Sequence, residues 1–196
     1  KQGAQLQYIY DVHFQTDSNS IENVVLAGLG GSALAADYVK SWPGIDRPYQ
    51  VVRDYTIPEY ANEKTLFVAS SYSGNTEETL SALAEAEEKN CQIVIICSGG
   101  KMAEIAKAKN YPLFGMPSGL QPRMAALYNL AGIVQIFEVA GCIPEGSKEK
   151  LAQAGRWIDG QVASWRADVP AKNNPAKQLA LEIMGSSPVI YGSVQF

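Results

Sequence analysis

Positive charge, cysteine and histidine are all scarce in this sequence. Sixteen Lys and Arg stand against twenty Asp and Glu, a net charge of -4, with no basic block and no interleaving of basic and aromatic residues. That balance excludes a polyanionic partner such as nucleic acid. A small anion stays open, because it needs only a local cradle of donors. The three cysteines, Cys91, Cys97 and Cys142, are odd in number and form no C-x-x-C pair, so neither a disulfide framework nor a zinc site is suggested and a reducing compartment fits. No stretch approaches the roughly 20 apolar residues of a membrane span. The first fifteen residues, "KQGAQLQYIYDVHFQ", lack the apolar core of a signal peptide. The expectation is a cytoplasmic protein with no membrane contact.

What is present is a globular composition, 46% hydrophobic and 18% charged over 196 residues, enough for one α/β domain and part of something else. Strand-length apolar runs alternate with helix-length segments. "NVVLAG" (23–28), "PYQVVR" (48–53), "TLFVAS" (65–70), "QIVIIC" (92–97) and "YPLFGM" (111–116) are the runs. Between and after them lie "SALAADYVKSW" (32–42), "NTEETLSALAEAEEKN" (75–90), "KMAEIAKAK" (101–109) and "PRMAALYNLAGIVQIFEVA" (122–140). Nearly continuous Val, Ile and Phe marks strands covered on both faces, and alternation with helices implies a parallel sheet. The expected fold is a three-layer, doubly wound αβα domain over residues 1–145. Residues 146–196 read as linking helices, the first capped by Ser147 and carrying Leu151, Trp157, Ile158, Val162 and Trp165 near one face. A helix from about Pro175 then leads to a strand over 188–191. "SPVIYGSVQF" echoes "NVVLAGLGGSA", so the expectation is that a second, similar domain begins there and is cut off.

Two strand-to-helix junctions carry the candidate chemistry. In "LAGLGGSALA", Gly28, Gly30 and Ala33 fit the G-x-G-x-x-[GA] spacing of a dinucleotide site, and Arg53 and Asp54 end the second strand where a ribose-binding acid would stand. A tight turn with close helix packing explains the same glycines. In "SSYSGNTEET" (70–79), Ser71, Ser73, Asn75 and Thr76 surround the start of a helix. Helix N-termini carry unpaired amide donors and a partial positive potential, so such a turn can bind a phosphate monoester without lysine. Simple capping by Asn75 or Ser73, with Glu77 and Glu78 in the first turn, is the plainer alternative. It accounts for one of the four polar groups.

"GLGGSA" followed by "SSYSGNTEETL" resembles the signature of the sugar isomerase (SIS) domain. "GLQPRMAAL" (119–127) is similar to the corresponding segment of the bifunctional phosphoglucose/phosphomannose isomerases. The resemblance implies a flavodoxin-like sheet, sugar 6-phosphates as ligands and a homodimer. It further implies that Ser71, Ser73 and Thr76, with Asn75, hold the phosphate, that Gly30, Gly31 and Ser32 line the sugar site, and that Arg123 stands beside the reacting carbons. Moving a proton between C1 and C2 through a cis-enediol needs a carboxylate base, a ring-opening acid and a cation near the developing oxyanion, and no cofactor or metal. Arg123 suits the last role, since its guanidinium stays charged. In that family the glutamate base and the histidine come from the second domain, just past the position of "VIYGS", and a lysine from near the carboxyl end. His13 matches none of them, and Glu182 lies upstream of the base. The other class in view is a non-catalytic SIS module that senses a sugar phosphate. The apolar helices over 122–140 and 147–166 carry more large residues than one small sheet needs, and are expected to meet the second domain or another subunit.

Overall fold

The structure is a computed structural model that describes residues 2–12 and 14–191. His13, and the glycine and serine that follow Tyr191, lie outside the described residues. Five parallel strands form the sheet: β1 (Asn23–Ala27), β2 (Tyr49–Val52), β3 (Thr65–Ser71), β4 (Gln92–Cys97) and β5 (Leu113–Gly115). Their spatial order is β2-β1-β3-β4-β5, the flavodoxin-like arrangement of a doubly wound fold. Central β3 is buried at every residue, as its unbroken apolar run requires.

Because side chains alternate across a strand, β3 feeds two cores. Leu66 and Val68 pack with residues of α2 (Gly31–Ser41) and α5 (Ala126–Val139), including Val39, Ile133 and Phe137. Phe67 and Ala69 face α3 (Glu77–Glu88) and α4 (Gly100–Lys109), against Leu83, Ala86 and Met102. Each large side chain so buried contributes on the order of 2 kcal/mol. The three cysteines are buried in these layers and free.

An element with no counterpart in the sequence reading is α1 (Gln2–Leu6), which packs on α5 and on α6 (Ser147–Ser164). Five residues are too few for a legible helical period. The helix nevertheless matters to the site, because the Gln5 side-chain amide donates to the Met124 carbonyl at 2.9 Å.

Three expectations for the last fifty residues are corrected. Ser147 does not cap α6: it is the first helical residue, after a left-handed Gly146, and its hydroxyl donates to the Pro144 carbonyl. The cap comes from Glu138 at the end of α5, whose carboxylate accepts from the amides of Gly146 (3.2 Å) and Lys148 (2.6 Å). A carboxylate is favoured at that end of a helix by the dipole. Of the expected apolar face of α6, Leu151 is buried, but Trp157 and Trp165 are 63% and 46% exposed. Finally, α7 (Pro175–Ile183) is present, with Asn174 as its N-cap, whereas residues 188–191 form no strand. Their side chains are open to solvent, Ile190 at 93%. A strand exists only where a neighbour meets its backbone donors and acceptors, and none of the described residues does so.

Candidate functional site

The site is fixed by topology before any side chain is considered. From β1 the chain passes to α2 on one face of the sheet, and from the adjacent β3 it passes to α3 on the other. The carboxyl ends of β1 and β3 therefore diverge at a switch point, where doubly wound sheets form their ligand crevices. Here the crevice has a volume of about 120 Å³. One wall is Leu29, Gly31 and Ser32; the other is Ser70 to Ser73 with Thr76; Pro122 closes the rim.

The second wall is a cluster of hydroxyls. Ser71 Oγ lies 2.7 Å from Thr76 Oγ1 and 3.4 Å from Ser73 Oγ. The backbone amides of Gly74 and Asn75 donate to Ser71 Oγ and Ser73 Oγ, each at 3.2 Å, which holds both oxygens in place. In the close Ser71–Thr76 pair one hydroxyl hydrogen is shared, and the other remains for an incoming acceptor. Thr76 is the N-cap residue of α3, yet its side chain makes no capping bond. Gly30, the N-cap residue of α2, has no side chain to offer one. Two helix N-termini thus meet the crevice without side-chain caps, with the donors and partial positive charge that favour an anion.

Asn75 does something else. Its Oδ1 accepts from the Lys101 amide at 3.0 Å, and its amide nitrogen donates to the Ser73 carbonyl at 3.3 Å. It caps α4 and is absent from the crevice wall. The Gly74 carbonyl accepts from Met102 beside it, at 3.0 Å. The two loops approach so closely that a Cβ on Gly74, at φ +67°, would lie 1.9 Å from the Gly99 carbonyl oxygen. Asn75→Ala is expected to cost about 1 kcal/mol of stability, as loss of an N-cap does, and to weaken phosphate binding less than Ser71→Ala. Thermal unfolding and ligand titration of the two variants check this.

The remaining candidates divide similarly. Gly31 and Ser32 line the crevice, while Gly30 turns the backbone at φ 54° and is not part of the wall. A Cβ on Gly31 would lie 3.9 Å from the Arg123 Cα, so the short 3-10 turn Pro122–Met124 rests on the start of α2. The Arg123 side chain is exposed and lines a neighbouring apolar groove of about 430 Å³ with Gln5, Leu120 and Leu127. Sequence reasoning placed it beside the reacting carbons; its backbone is at the rim and its side chain is next door.

The dinucleotide spacing has a packing explanation. A Cβ on Gly28 would come within 2.8 Å of the Ser70 carbonyl. Asp54 accepts from the Tyr55 amide, and Arg53 pairs with Asp37. Cys97, at the end of β4, is buried, and burial raises its thiol pKa, which disfavours the reactive thiolate. Among the described residues, the crevice wall contains no carboxylate, imidazole or amine.

Sequence reasoning missed Ser70, Tyr72 and Asn129. Tyr72 lies within the quoted motif; its phenol donates to the Pro117 carbonyl and accepts from the Leu120 amide, tying down the loop that leads to Pro122. Asn129 is one of two buried amides in the apolar α5. A polar residue inside an apolar helical run was the available signal.

Residues 19–113 match the SIS domain family. The matched segment takes in β1 to β4 with the helices α2 to α4 between and after them, so it is the parallel sheet and its covering helices that are similar to a SIS domain. More particularly, the chain is 36% identical over 195 residues to a bifunctional phosphoglucose/phosphomannose isomerase of Caldicellulosiruptor bescii, an alignment covering 96% of this chain and 57% of the relative. It is also 32% identical over 175 residues to a D-glucosamine-6-phosphate 4-epimerase of Sulfolobus acidocaldarius, covering 88% and 52%. The chain spans little more than half the length of these relatives. Among solved structures, the tagatose-6-phosphate ketose/aldose isomerase of Escherichia coli superposes with a TM-score of 0.52 at 18% identity, over 71% of this chain and 43% of that one. At that identity the likeness concerns the fold.

Proposed function

We propose that this chain forms the phosphate-gripping part of a phosphoglucose/phosphomannose isomerase, which interconverts glucose 6-phosphate or mannose 6-phosphate and fructose 6-phosphate through a cis-enediol. The observation that carries the reading is the hydroxyl cluster of Ser71, Ser73 and Thr76 beside two helix N-termini without side-chain caps. Neutral donors and helix dipoles bind a phosphate with no buried cation to desolvate. The sugar then runs from the cradle toward Gly31, Ser32 and the rim turn that carries Arg123. When negative charge develops on the enediolate oxygen, the guanidinium of Arg123, swung from the groove to the crevice, stabilises it.

Among the described residues, the crevice wall offers no group able to remove a carbon-bound proton. In this reading the base and the ring-opening acid belong to a second SIS domain, of which residues 146–191 are the approach. The exposed apolar side chains of Trp157, Trp165, Leu179 and Met184 supply a surface for that domain or for the second subunit of a homodimer. The protein is assigned to the cytoplasm.

The similarity to a D-glucosamine-6-phosphate 4-epimerase favours a second reading, in which the same phosphate grip serves chemistry at another carbon. A coupled assay on the complete enzyme, second domain included, separates the two. Conversion of glucose 6-phosphate and mannose 6-phosphate to fructose 6-phosphate is the expected result; turnover of D-glucosamine 6-phosphate alone would replace it with epimerisation. Saturable binding with no turnover of any of the three would identify a sensor.

A further inference from the structure

Helix α5 buries two side-chain amides in an otherwise apolar run, and they are treated differently. Gln135 is fully paired with the Tyr10 backbone: its Oε1 accepts from the amide at 3.1 Å and its Nε2 donates to the carbonyl at 2.7 Å. Asn129, only 2% exposed, uses one of its two polar atoms, with Ser70 Oγ donating to Oδ1 at 2.9 Å. Its Nδ2 has no partner. Turning the amide over exchanges the atoms and still leaves one unpaired. Buried polar groups are almost always satisfied, so an unpaired one beside a ligand crevice calls for an explanation, and a group of the ligand is one that can supply it.

Asn129 lines a side niche of the crevice, bounded also by Gly31, Ser32, Tyr72, Met116 and Pro122. The niche measures about 10 Å³, the room of a single water-sized group. The Ser32 hydroxyl beside it forms no hydrogen bond among the described residues. Ser70 and Ser71 are consecutive on β3 and point to opposite faces of the sheet. Ser71 meets Thr76 on the α3 side, and Ser70 meets Asn129 on the α5 side. A ligand lying across the end of β3 therefore has its phosphate on one face and the niche on the other.

We propose that Asn129 is a second anchor for the ligand, binding one hydroxyl of the sugar at a distance from its phosphate, with Ser32 as the neighbouring partner. This rests on the sugar-phosphate reading above. A hydroxyl is both donor and acceptor, so it satisfies the free amide atom in either orientation. Inorganic phosphate fills the cradle without reaching the niche. Asn129 thus acts on the sugar and not on the anion, and it distinguishes sugar phosphates by the position of a hydroxyl.

The test compares fructose 6-phosphate with inorganic phosphate by equilibrium titration of the whole chain, for the wild type, Asn129→Ala and Asn129→Leu. Leucine keeps the branched shape and heavy-atom count of the amide in a good helix former, so Asn129→Leu keeps the test open should the alanine variant unfold. The expected result is a 3- to 10-fold loss of fructose 6-phosphate affinity, about that of one neutral hydrogen bond, with phosphate affinity changed less than twofold. Unchanged affinity for both ligands would overturn the anchor, and so would an equal loss for both, which makes Asn129 a support of the loop. A wild type that binds fructose 6-phosphate no better than phosphate would overturn the sugar-phosphate reading itself, and the anchor with it.

Discussion

Replacing Ser71, Ser73 and Thr76 together with alanine should lower the affinity for fructose 6-phosphate by roughly 100-fold or more, since hydrogen bonds to a charged group contribute about 1.5–3 kcal/mol each. The loss should appear in the dissociation constant and leave the fold in place. Ser71 and Thr76 are bonded mainly to each other and to the turn they occupy, so removing both partners leaves few orphaned groups. The Asn75 amide loses its acceptor, while the Gly74 amide keeps the Ser71 carbonyl at 3.2 Å, and a stability cost of about 1 kcal/mol follows. Titration of the variant, with its thermal unfolding alongside, checks both statements. Wild-type affinity in a folded triple variant would show that the hydroxyls only shape the turn.

Arg123→Ala in the complete enzyme should behave in the opposite way, lowering kcat by about 100- to 1,000-fold, as loss of an oxyanion-stabilising group does, while KM moves by a few-fold. Its side chain is exposed and makes no hydrogen bond or ion pair among the described residues, so truncation should hardly affect stability. The Pro122–Met124 turn stays tied to α1 through Gln5 and packed on Gly31, which separates loss of the guanidinium from collapse of the rim. Steady-state kinetics in both reaction directions decide the matter. A kcat within threefold of wild type would remove Arg123 from the chemistry and leave it as a residue of the adjacent groove.

The contrast between these variants follows from what local sequence can specify. The five strands and the helices around them were legible because apolar runs and helical periods are local signals, and β3 is buried end to end as its composition requires. The hydroxyl turn was legible for the same reason: Ser71, Ser73 and Thr76 lie within six residues and form one cluster. Asn75, in the midst of them, was not. Its partner is the Lys101 amide, 26 residues away, and nothing in "SGNTEE" announces where α4 will start. The cap of α6 likewise comes from Glu138, ten residues before the amide of Lys148 that it accepts from, and not from the serine at the helix start. Asn129 escaped notice because its significance is its pairing with Ser70, 59 residues earlier. Side-chain direction and the satisfaction of buried polar atoms arise from tertiary approach, which hydrophobic patterning does not encode.

Trp157 and Trp165 make the same point at the surface. Helical spacing placed them on an apolar face, and the face is there, but the packing of α6 on the core takes in Leu151 and Ile158 and leaves both tryptophans exposed. Patterning says that a side chain seeks burial; it does not say against what.

The phosphate grip is tested most directly by titrating the chain with fructose 6-phosphate and with unphosphorylated fructose under identical conditions. Saturable, one-to-one binding of fructose 6-phosphate that inorganic phosphate competes away, with no measurable binding of fructose, is the expected result. Equal binding of the two sugars, or binding that phosphate leaves untouched, would contradict it.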